Sequence, residues 1–263
     1  LWIATDGGVS AFDSNQSKWN SFTINTHPAL SSNKSRKIVE DKHGHIWIGS
    51  WNAGLDRINI KSQTVRNYSK EGVFKDSPDK VVYSIFKDSR DNIWAGAHWG
   101  SLGKYNETCD CFNSYLNPEI LNGVHPHDVL SMDEDNVGRI WLGLSNGLSV
   151  IDPTKDRFIN YPMTDDSSLG LFMRNSEAVL VARDGTIWIG QFQGGLIRIS
   201  PFSMPFDFYG ERTNQKIEFI DMNSVYASNS EVIMGAVGGS YSIKLDDLGR
   251  IVSKERISDS VVV

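Results

Sequence analysis

A repeat centred on tryptophan constrains this chain more than any other feature of its sequence. Tryptophan recurs at spacings of 45, 47, 47 and 47 residues, and a methionine takes its place 46 residues after the last copy. These positions are Trp2, Trp47, Trp94, Trp141, Trp188 and Met234. A small residue follows each of them two positions later, and a large apolar residue follows seven or eight positions later. A period of this length predicts one supersecondary unit repeated along the chain.

Each repeat predicts four short strands. In the second repeat the strands are Lys37–Asp41, His45–Ser50, Leu55–Ile60 and Val65–Tyr68, separated by turn residues. The second strand is apolar on both faces, so it must be covered on both sides. Four-stranded units of about 40–50 residues that stack sheet on sheet are typical of a β-propeller. A linear solenoid would satisfy the same packing, but it needs polar caps at its ends.

We therefore predict an all-β fold, a β-propeller of four-stranded blades with six detectable repeats. The repeated tryptophan is interpreted as a wedge between blades, and the small residue after it leaves room for the neighbouring backbone. The predicted domain spans 1–263, with blades at 1–23 (partial), 35–69, 81–116, 128–162, 176–210 and 222–257, and with 258–263 opening a further blade. Either this tail closes a six-bladed ring, or the chain is a fragment of a seven-bladed propeller. We favour the fragment.

Composition excludes several classes of protein. The chain of 263 residues is 40% hydrophobic and 22% charged, which predicts a folded core. It carries 26 Lys and Arg against 32 Asp and Glu, with no basic run, which argues against a nucleic acid or an anionic membrane as partner. No uncharged apolar stretch approaches the roughly 18 residues that span a bilayer, and no signal segment opens the chain.

Two segments carry a recognisable family pattern. Asp41–Ile58 (DKHGHIWIGSWNAGLDRI) and Asp184–Ile199 (DGTIWIGQFQGGLIRI) resemble the two-component regulator propeller repeat. In that family such propellers form the periplasmic input region of membrane-bound bacterial signalling proteins, and several members sense glycans. The output domain is a histidine kinase, often a hybrid one, or a diguanylate cyclase.

The resemblance implies a non-catalytic, ligand-sensing propeller in the periplasm, as part of an inner-membrane receptor. The expected partners are an unidentified small molecule, with oligosaccharides as candidates, and further blades and a membrane-linked output domain in the intact protein. A homodimer is also considered. No cofactor, metal or nucleic acid is expected.

The candidate site lies on one face of the predicted propeller. Loops between strands 2 and 3 and the connections between blades emerge together there, because alternate hairpin ends point the same way. Aromatic rings with amides suit a sugar, since rings pack on its C–H faces and amides bind its hydroxyls. The candidate ligand-binding residues are Trp51, Asn52, His98, Trp99, Asn146, Gln191, Phe192 and Gln193 from the loops, and Arg36 and Arg174 from the connections. Alternatively, these aromatic residues cap the blades or meet a second propeller.

Two weaker motifs favour structural interpretations. The segment Asp133–Gly138 begins like a calcium loop, but Val137 stands where an oxygen ligand belongs, so we predict a hairpin turn. Cys109 and Cys111 are one residue apart. A disulfide across one residue would be strained, and two thiolates make only half a zinc site, so free thiols are expected.

Two other functional classes stay open. The sequence contains no nucleophile motif and no phosphate loop. A propeller lyase resembling virginiamycin B lyase would need a magnesium ion and a histidine such as His98, His125 or His127. A pure interaction or dimerisation scaffold would instead use the propeller faces as docking surfaces.

Overall fold

The computed structural model describes residues 1–70, 74–75, 79–98, 101–115, 127–155, 157–162, 175–199, 206–209, 222–227, 231–236, 239–245 and 251–258. Regular structure within these ranges is β-strand, in six antiparallel sheets. No helix among them is long and apolar enough to cross a bilayer. The chain divides into two compact units, Leu1–Val129 and Leu130–Val263.

The first unit contains three sheets whose strands follow one another in chain order. The first sheet has β1 (Trp2–Thr5), β2 (Gly8–Asp13) and β3 (Lys18–Phe22). The second has β4 (Ser35–Glu40), β5 (His45–Ser50), β6 (Leu55–Asn59) and β7 (Thr64–Asn67). The third has β8 (Val82–Lys87), β9 (Ile93–Ala97), β10 (Leu102–Asn106) and β11 (Cys111–Ser114).

The second unit repeats this arrangement in three further four-stranded sheets. The fourth sheet has β12 (Val129–Glu134), β13 (Ile140–Leu144), β14 (Gly147–Asp152) and β15 (Arg157–Pro162). The fifth has β16 (Ser176–Val181), β17 (Ile187–Gln191), β18 (Gly195–Ile199) and β19 (Phe206–Tyr209). The sixth has β20 (Met222–Ala227), β21 (Glu231–Ala236), β22 (Gly239–Leu245) and β23 (Ile251–Ser258).

The repeated tryptophan packs between consecutive sheets, as the sequence predicts. The Trp47 indole is fully buried, and its ring centroid lies 4.8 Å from that of Tyr105 and 5.6 Å from that of Phe112, both on the third sheet. Gly49 supplies the gap beside it, because a Cβ there would lie 2.9 Å from Cγ1 of Val82 on the same neighbouring sheet. Trp47 thus closes the contact between the second and third sheets.

The same contact recurs within the second unit. Trp141 on the fourth sheet shares a buried cluster with Val179 and Ile189 on the fifth. Trp188 on the fifth sheet shares another with Val232 and Met234 on the sixth, where methionine replaces the indole. Each unit is therefore a series of stacked sheets joined by side chains from their second strands.

An aspartate six residues before the tryptophan holds the indole in three of the repeats. The indole Nε1 of Trp47, Trp94 and Trp141 donates to an aspartate Oδ2 over 2.9 Å. The acceptors are Asp41, Asp88 and Asp135 respectively. The fifth sheet has Ala182 at this position, so the aspartate is not repeated there.

The other oxygen of each aspartate organises the hairpin turn. Oδ1 of Asp41 accepts from the backbone N–H groups of His43 and His45, each over 2.9 Å. Oδ1 of Asp135 accepts from Val137 and Arg139 in the same pattern. The segment Asp133–Gly138 is therefore the end of β12 followed by a hairpin turn, as predicted, and Oδ2 of Asp133 accepts from the backbone N–H of Val181 over 2.7 Å.

The expectation of free thiols at Cys109 and Cys111 is wrong. The two residues form a disulfide in the turn between β10 and β11. Asp110 between them adopts a left-handed φ of 50°, a conformation that aspartate tolerates better than most residues. This turn brings the two Cα atoms to 5.3 Å, within the range that disulfides span.

Two tryptophans of the second repeat provide a test of the wedge. We expect Trp47→Ala to lower the free energy of unfolding by roughly 3–5 kcal/mol, because it empties a buried contact between sheets. Trp51→Ala, four residues away and 41% exposed, should cost less than about 1 kcal/mol. Urea unfolding of both variants measures the difference, and equal losses would contradict the wedge.

Acid should weaken the hairpin anchors. Burial alone raises the pKa of Asp41 and of Asp88, but the N–H donors around each carboxylate outweigh it and hold both pKa values below 3.8. A lowered folded-state pKa means that the stabilisation is complete at neutral pH and is lost as the pH falls through that folded value. We expect Asp41→Asn and Asp88→Asn to cost roughly 1–3 kcal/mol near pH 7.

The cost of both substitutions should shrink as the pH falls below 3.8 toward the lowered folded-state pKa values, because the unfolded chain then binds protons that the folded carboxylates do not. Urea unfolding over this pH range measures it. Asp91→Asn, which alters the exposed tip of the Asp88 hairpin, is the control and should change stability little at any pH. A pH-independent cost at Asp41 and Asp88 would argue against the charged anchor.

Candidate functional site

A repeated backbone contact builds one face of each unit. The N–H four residues after the tryptophan donates to the carbonyl thirteen residues before it, where the connection from the preceding sheet arrives. These hydrogen bonds join Trp51 to Lys34 over 3.1 Å, His98 to Val81 over 3.4 Å and Phe192 to Asn175 over 2.9 Å. The loop between the second and third strands therefore lies against the connection between sheets. This is the geometry that the candidate site requires.

In several sheets, a β-bulge lies beside this backbone hydrogen bond and changes the direction of one side chain. The register shifts between Ser35 and Lys37, between Val82 and Ser84, and between Ser176 and Ala178. The extra residues are Arg36, Tyr83 and Glu177, each eleven positions before the repeated tryptophan. Bulges of this kind re-aim side chains and are common beside functional sites.

In the first unit, the bulges and loops bring four side chains into one surface, which we name the first-unit patch: Arg36, Trp51, Tyr83 and His98. The Arg36 guanidinium carbon lies 4.4 Å from the Trp51 ring centroid and 5.2 Å from that of Tyr83. The two rings meet edge to face with centroids 5.9 Å apart. A cation over two aromatic rings is attracted to both, which favours one arrangement of the three side chains.

The patch continues from its aromatic residues into a polar end. The Tyr83 hydroxyl lies 3.3 Å from Nδ1 of His98. The same Nδ1 lies 3.2 Å from Oδ1 of Asp128, and Nε2 lies 3.9 Å from Oδ2 of Asp79. His98 is thus flanked by two carboxylates and a phenol. The patch therefore offers a cation and two rings at one end and hydrogen-bonding groups at the other.

Lys37, next to Arg36, carries a perturbed charge. Its surrounding protein atoms disfavour the ammonium form, although part of the side chain reaches solvent, and the positive charge of Arg36 acts in the same direction. The pKa of Lys37 is therefore lower than usual.

The other predicted residues fall in different places. Asn52 is exposed, and its Oδ1 accepts from the Ser32 hydroxyl over 2.7 Å, which ties the loop to the connection. Phe192 and Gln193 are exposed in the second unit, and Asn146 is half-buried there. Gln191 ends β17 and is only 1% exposed, so it contributes nothing to the exposed surface. Trp99 and Arg174 lie outside the described residues.

Sequence reasoning missed Tyr83, Asp79 and Asp128. Tyr83 lies in a strand, where strict alternation would not direct it toward the loops, and only the bulge does so. The repeat did contain a signal, because the position eleven residues before the tryptophan varies widely. It holds Arg36, Tyr83, Leu130, Glu177 and Asn223, whereas the following position is Lys, Ser, Ser, Ala or Ser. A variable position inside a regular repeat indicates a side chain that lies outside the packing between sheets.

The alternative of a propeller lyase requires a metal site beside a histidine. Among the described side chains, no group of three or more His, Cys, Asp or Glu residues is arranged to hold a metal ion. His127 is exposed, two residues before β12 begins. His98 has the carboxylates described above, and His125 lies outside the described residues.

Comparison with known proteins supports the repeat and the fold. The family model described as Two component regulator propeller matches residues 29–52, so the chain carries the repeat that the sequence predicted. No curated protein sequence shows a significant match.

Solved propeller structures are similar over almost the whole chain. The extracellular domain of the BT4673 system of B. thetaiotaomicron superimposes with a TM-score of 0.72 at 19% identity, covering 99% of this chain and 34% of that one. PorZ of Porphyromonas gingivalis, a surface component of the type-IX secretion system, gives 0.64 at 15% identity, covering 97% of this chain and 39% of that one. The chain spans little more than a third of either protein. The predicted all-β propeller fold is confirmed, and the six repeats correspond to the six sheets of the described residues.

Proposed function

We propose that this chain is the sensory propeller segment of an extracytoplasmic receptor of the two-component type, and that it binds its ligand without catalysing a reaction. The support for the signalling role is the match to the two-component regulator propeller repeat. The similar domain of BT4673 is extracellular and is named as part of a hybrid two-component system, which supports the location and the output. A membrane-linked output domain in the intact protein is part of this proposal.

The first-unit patch is the proposed ligand site, and the observation that carries it is the Arg36–Trp51–Tyr83–His98 contact chain. Trp51 stays 41% exposed although Arg36 and Tyr83 hold its ring, so the ring is ordered in advance of binding. An ordered ring binds at a lower entropic cost than a free one. His98 and its carboxylate neighbours lie at the far end of Tyr83, where a ligand hydroxyl can donate or accept.

An oligosaccharide is the ligand class that this chemistry favours. Sugar rings present C–H faces to aromatic rings and hydroxyls to carboxylates and imidazoles. The patch pairs both kinds of group on one surface. Arg36 is already held over the aromatic rings, so the proposal does not depend on a strongly anionic ligand.

A second candidate function is a protein-interaction scaffold. PorZ shares the fold and is named as a component of a secretion system. In that role Trp51 would lie in an interface with another protein or with a second copy of this chain. The two proposals differ in what Trp51 contacts, so one set of variants separates them.

Binding measurements test the proposed site. The wild-type chain is titrated with a panel of neutral and acidic oligosaccharides by isothermal calorimetry, with thermal shift as a first screen. We expect at least one oligosaccharide to bind, and Trp51→Ala to weaken it at least about tenfold, which corresponds to a loss of about 1.4 kcal/mol. Tyr83→Ala should weaken it to a similar extent.

Trp19→Ala is the matched control. Trp19 is 50% exposed on β3 of the first sheet and should leave binding unchanged. If the folded wild-type chain binds no oligosaccharide, or if Trp51→Ala binds as tightly as Trp19→Ala, the proposed site is wrong. Light scattering on the same proteins addresses the scaffold, which predicts an oligomer that Trp51→Ala dissociates.

A further inference from the structure

The Cys109–Cys111 disulfide lies at the surface of the first unit, in the turn that joins β10 to β11. Cys109 is exposed and Cys111 is partly exposed, so a small thiol can approach the sulfur atoms from solvent. Exposed disulfides are the ones that thiol reagents reduce most readily in folded proteins.

Asp110, the single residue between the two cysteines, joins the third sheet to the second. Its Oδ1 accepts from Nη1 of Arg57 and from the hydroxyl of Tyr68, each over 2.8 Å, and from the hydroxyl of Tyr105 over 2.6 Å. Its Oδ2 lies 2.9 Å from Nη1 of Arg66, and its carbonyl accepts from Nη2 of Arg66 over 3.0 Å. Three of these four partners belong to the second sheet or directly follow it, so Asp110 is a contact between sheets.

The hydrogen bonds to Asp110 constrain the residues that make them. The desolvated Tyr68 hydroxyl, which donates to Asp110, has a pKa far above its usual value, so it remains a donor at any physiological pH. The Arg57 guanidinium lies 5.3 Å from the ring centroid of Trp47, the wedge between the same two sheets. Asp110 therefore lies close to the packing that holds the two sheets together.

The disulfide acts locally rather than on the whole fold. A cross-link between residues two positions apart closes a very short loop, and such loops restrict the unfolded chain least. The bond instead restricts the turn that holds Asp110 at its φ of 50°. Its main structural consequence is the position of the Asp110 carboxylate.

We propose that Cys109–Cys111 is a redox modification site at which thiol reductants loosen the Asp110 contact between the second and third sheets. A reductant thiolate attacks Sγ of one cysteine, which breaks the S–S bond, forms a mixed disulfide and releases the other cysteine as a thiolate. A second reductant thiolate then displaces the first cysteine, and the reductant leaves as its own disulfide. The protein gains two electrons and, at neutral pH, two protons.

Reduction leaves Asp110 in a turn that is free to rearrange. Its left-handed backbone conformation is no longer restrained by the ring, so its hydrogen bonds to Arg57, Arg66 and Tyr68 are made less often. The consequence is a looser contact near Trp47 without loss of the sheets themselves. This inference is independent of the proposed ligand.

Dithiothreitol titration of the folded chain tests the proposal. Alkylation and mass spectrometry first establish that Cys109 and Cys111 are bonded in the air-oxidised protein and are reduced without unfolding. We expect reduction to lower the Tm by a few degrees and to accelerate amide hydrogen exchange in the hairpin 104–113. Cys109→Ser/Cys111→Ser should match the reduced wild-type chain and should not respond to the reductant.

Asp110→Asn tests the link between the disulfide and the sheet contact. This variant keeps the disulfide but lacks the charge that the two arginines and two tyrosines bind. Reduction should lower the Tm of this variant by less than half of the wild-type shift. The reason is that the disulfide and the Asp110 charge stabilise the same contact between the second and third sheets. Free thiols in the air-oxidised chain, or an equal Tm shift in the wild-type and Asp110→Asn chains, would overturn the proposal. Hydrogen exchange on the wild-type chain decides the matter if Asp110→Asn does not fold.

Discussion

The contact of an indole with the next sheet is the constraint on which the rest of each unit depends. Trp47 is fully buried against rings of the third sheet, and Gly49 on the same strand lets Val82 approach. Ile46 and Ile48, on the opposite face of the same strand, are also buried, so the strand is covered on both faces, which excludes a single open sheet. The aspartate six residues earlier adds a polar anchor, so the wedge has a fixed orientation as well as a position.

The packing between sheets leaves the side chains at the sheet edges free to differ from one repeat to the next. On one side of the second and third sheets, bulges and loops place Arg36, Trp51, Tyr83 and His98 together. Elsewhere on the same two sheets, the turn at Asp110 connects Arg57 and Arg66. The hairpins repeat while these side chains do not, so binding chemistry can change without loss of the packing that positions it.

The sequence predicted the fold well because packing between sheets needs the same residue types in each copy. A bulky residue, a gap two positions later and a turn before them must recur, so the strands and their order follow from the repeat. The site was predicted only in part. Trp51 and His98 stand at fixed distances from the tryptophan, whereas Tyr83 reaches the patch through a bulge that strict alternation does not reveal.

The sequence by itself determined the repeated strands, the tryptophan wedge and the family of the repeat, because each depends on local patterns that recur along the chain. Only the tertiary structure decided which side chains meet across sheets. The joining of Cys109 to Cys111 depends on the backbone angle of one aspartate, and the role of that aspartate depends on two arginines more than 40 residues away. Each of these contacts occurs at one place in the chain, so the repeated sequence pattern does not predict them.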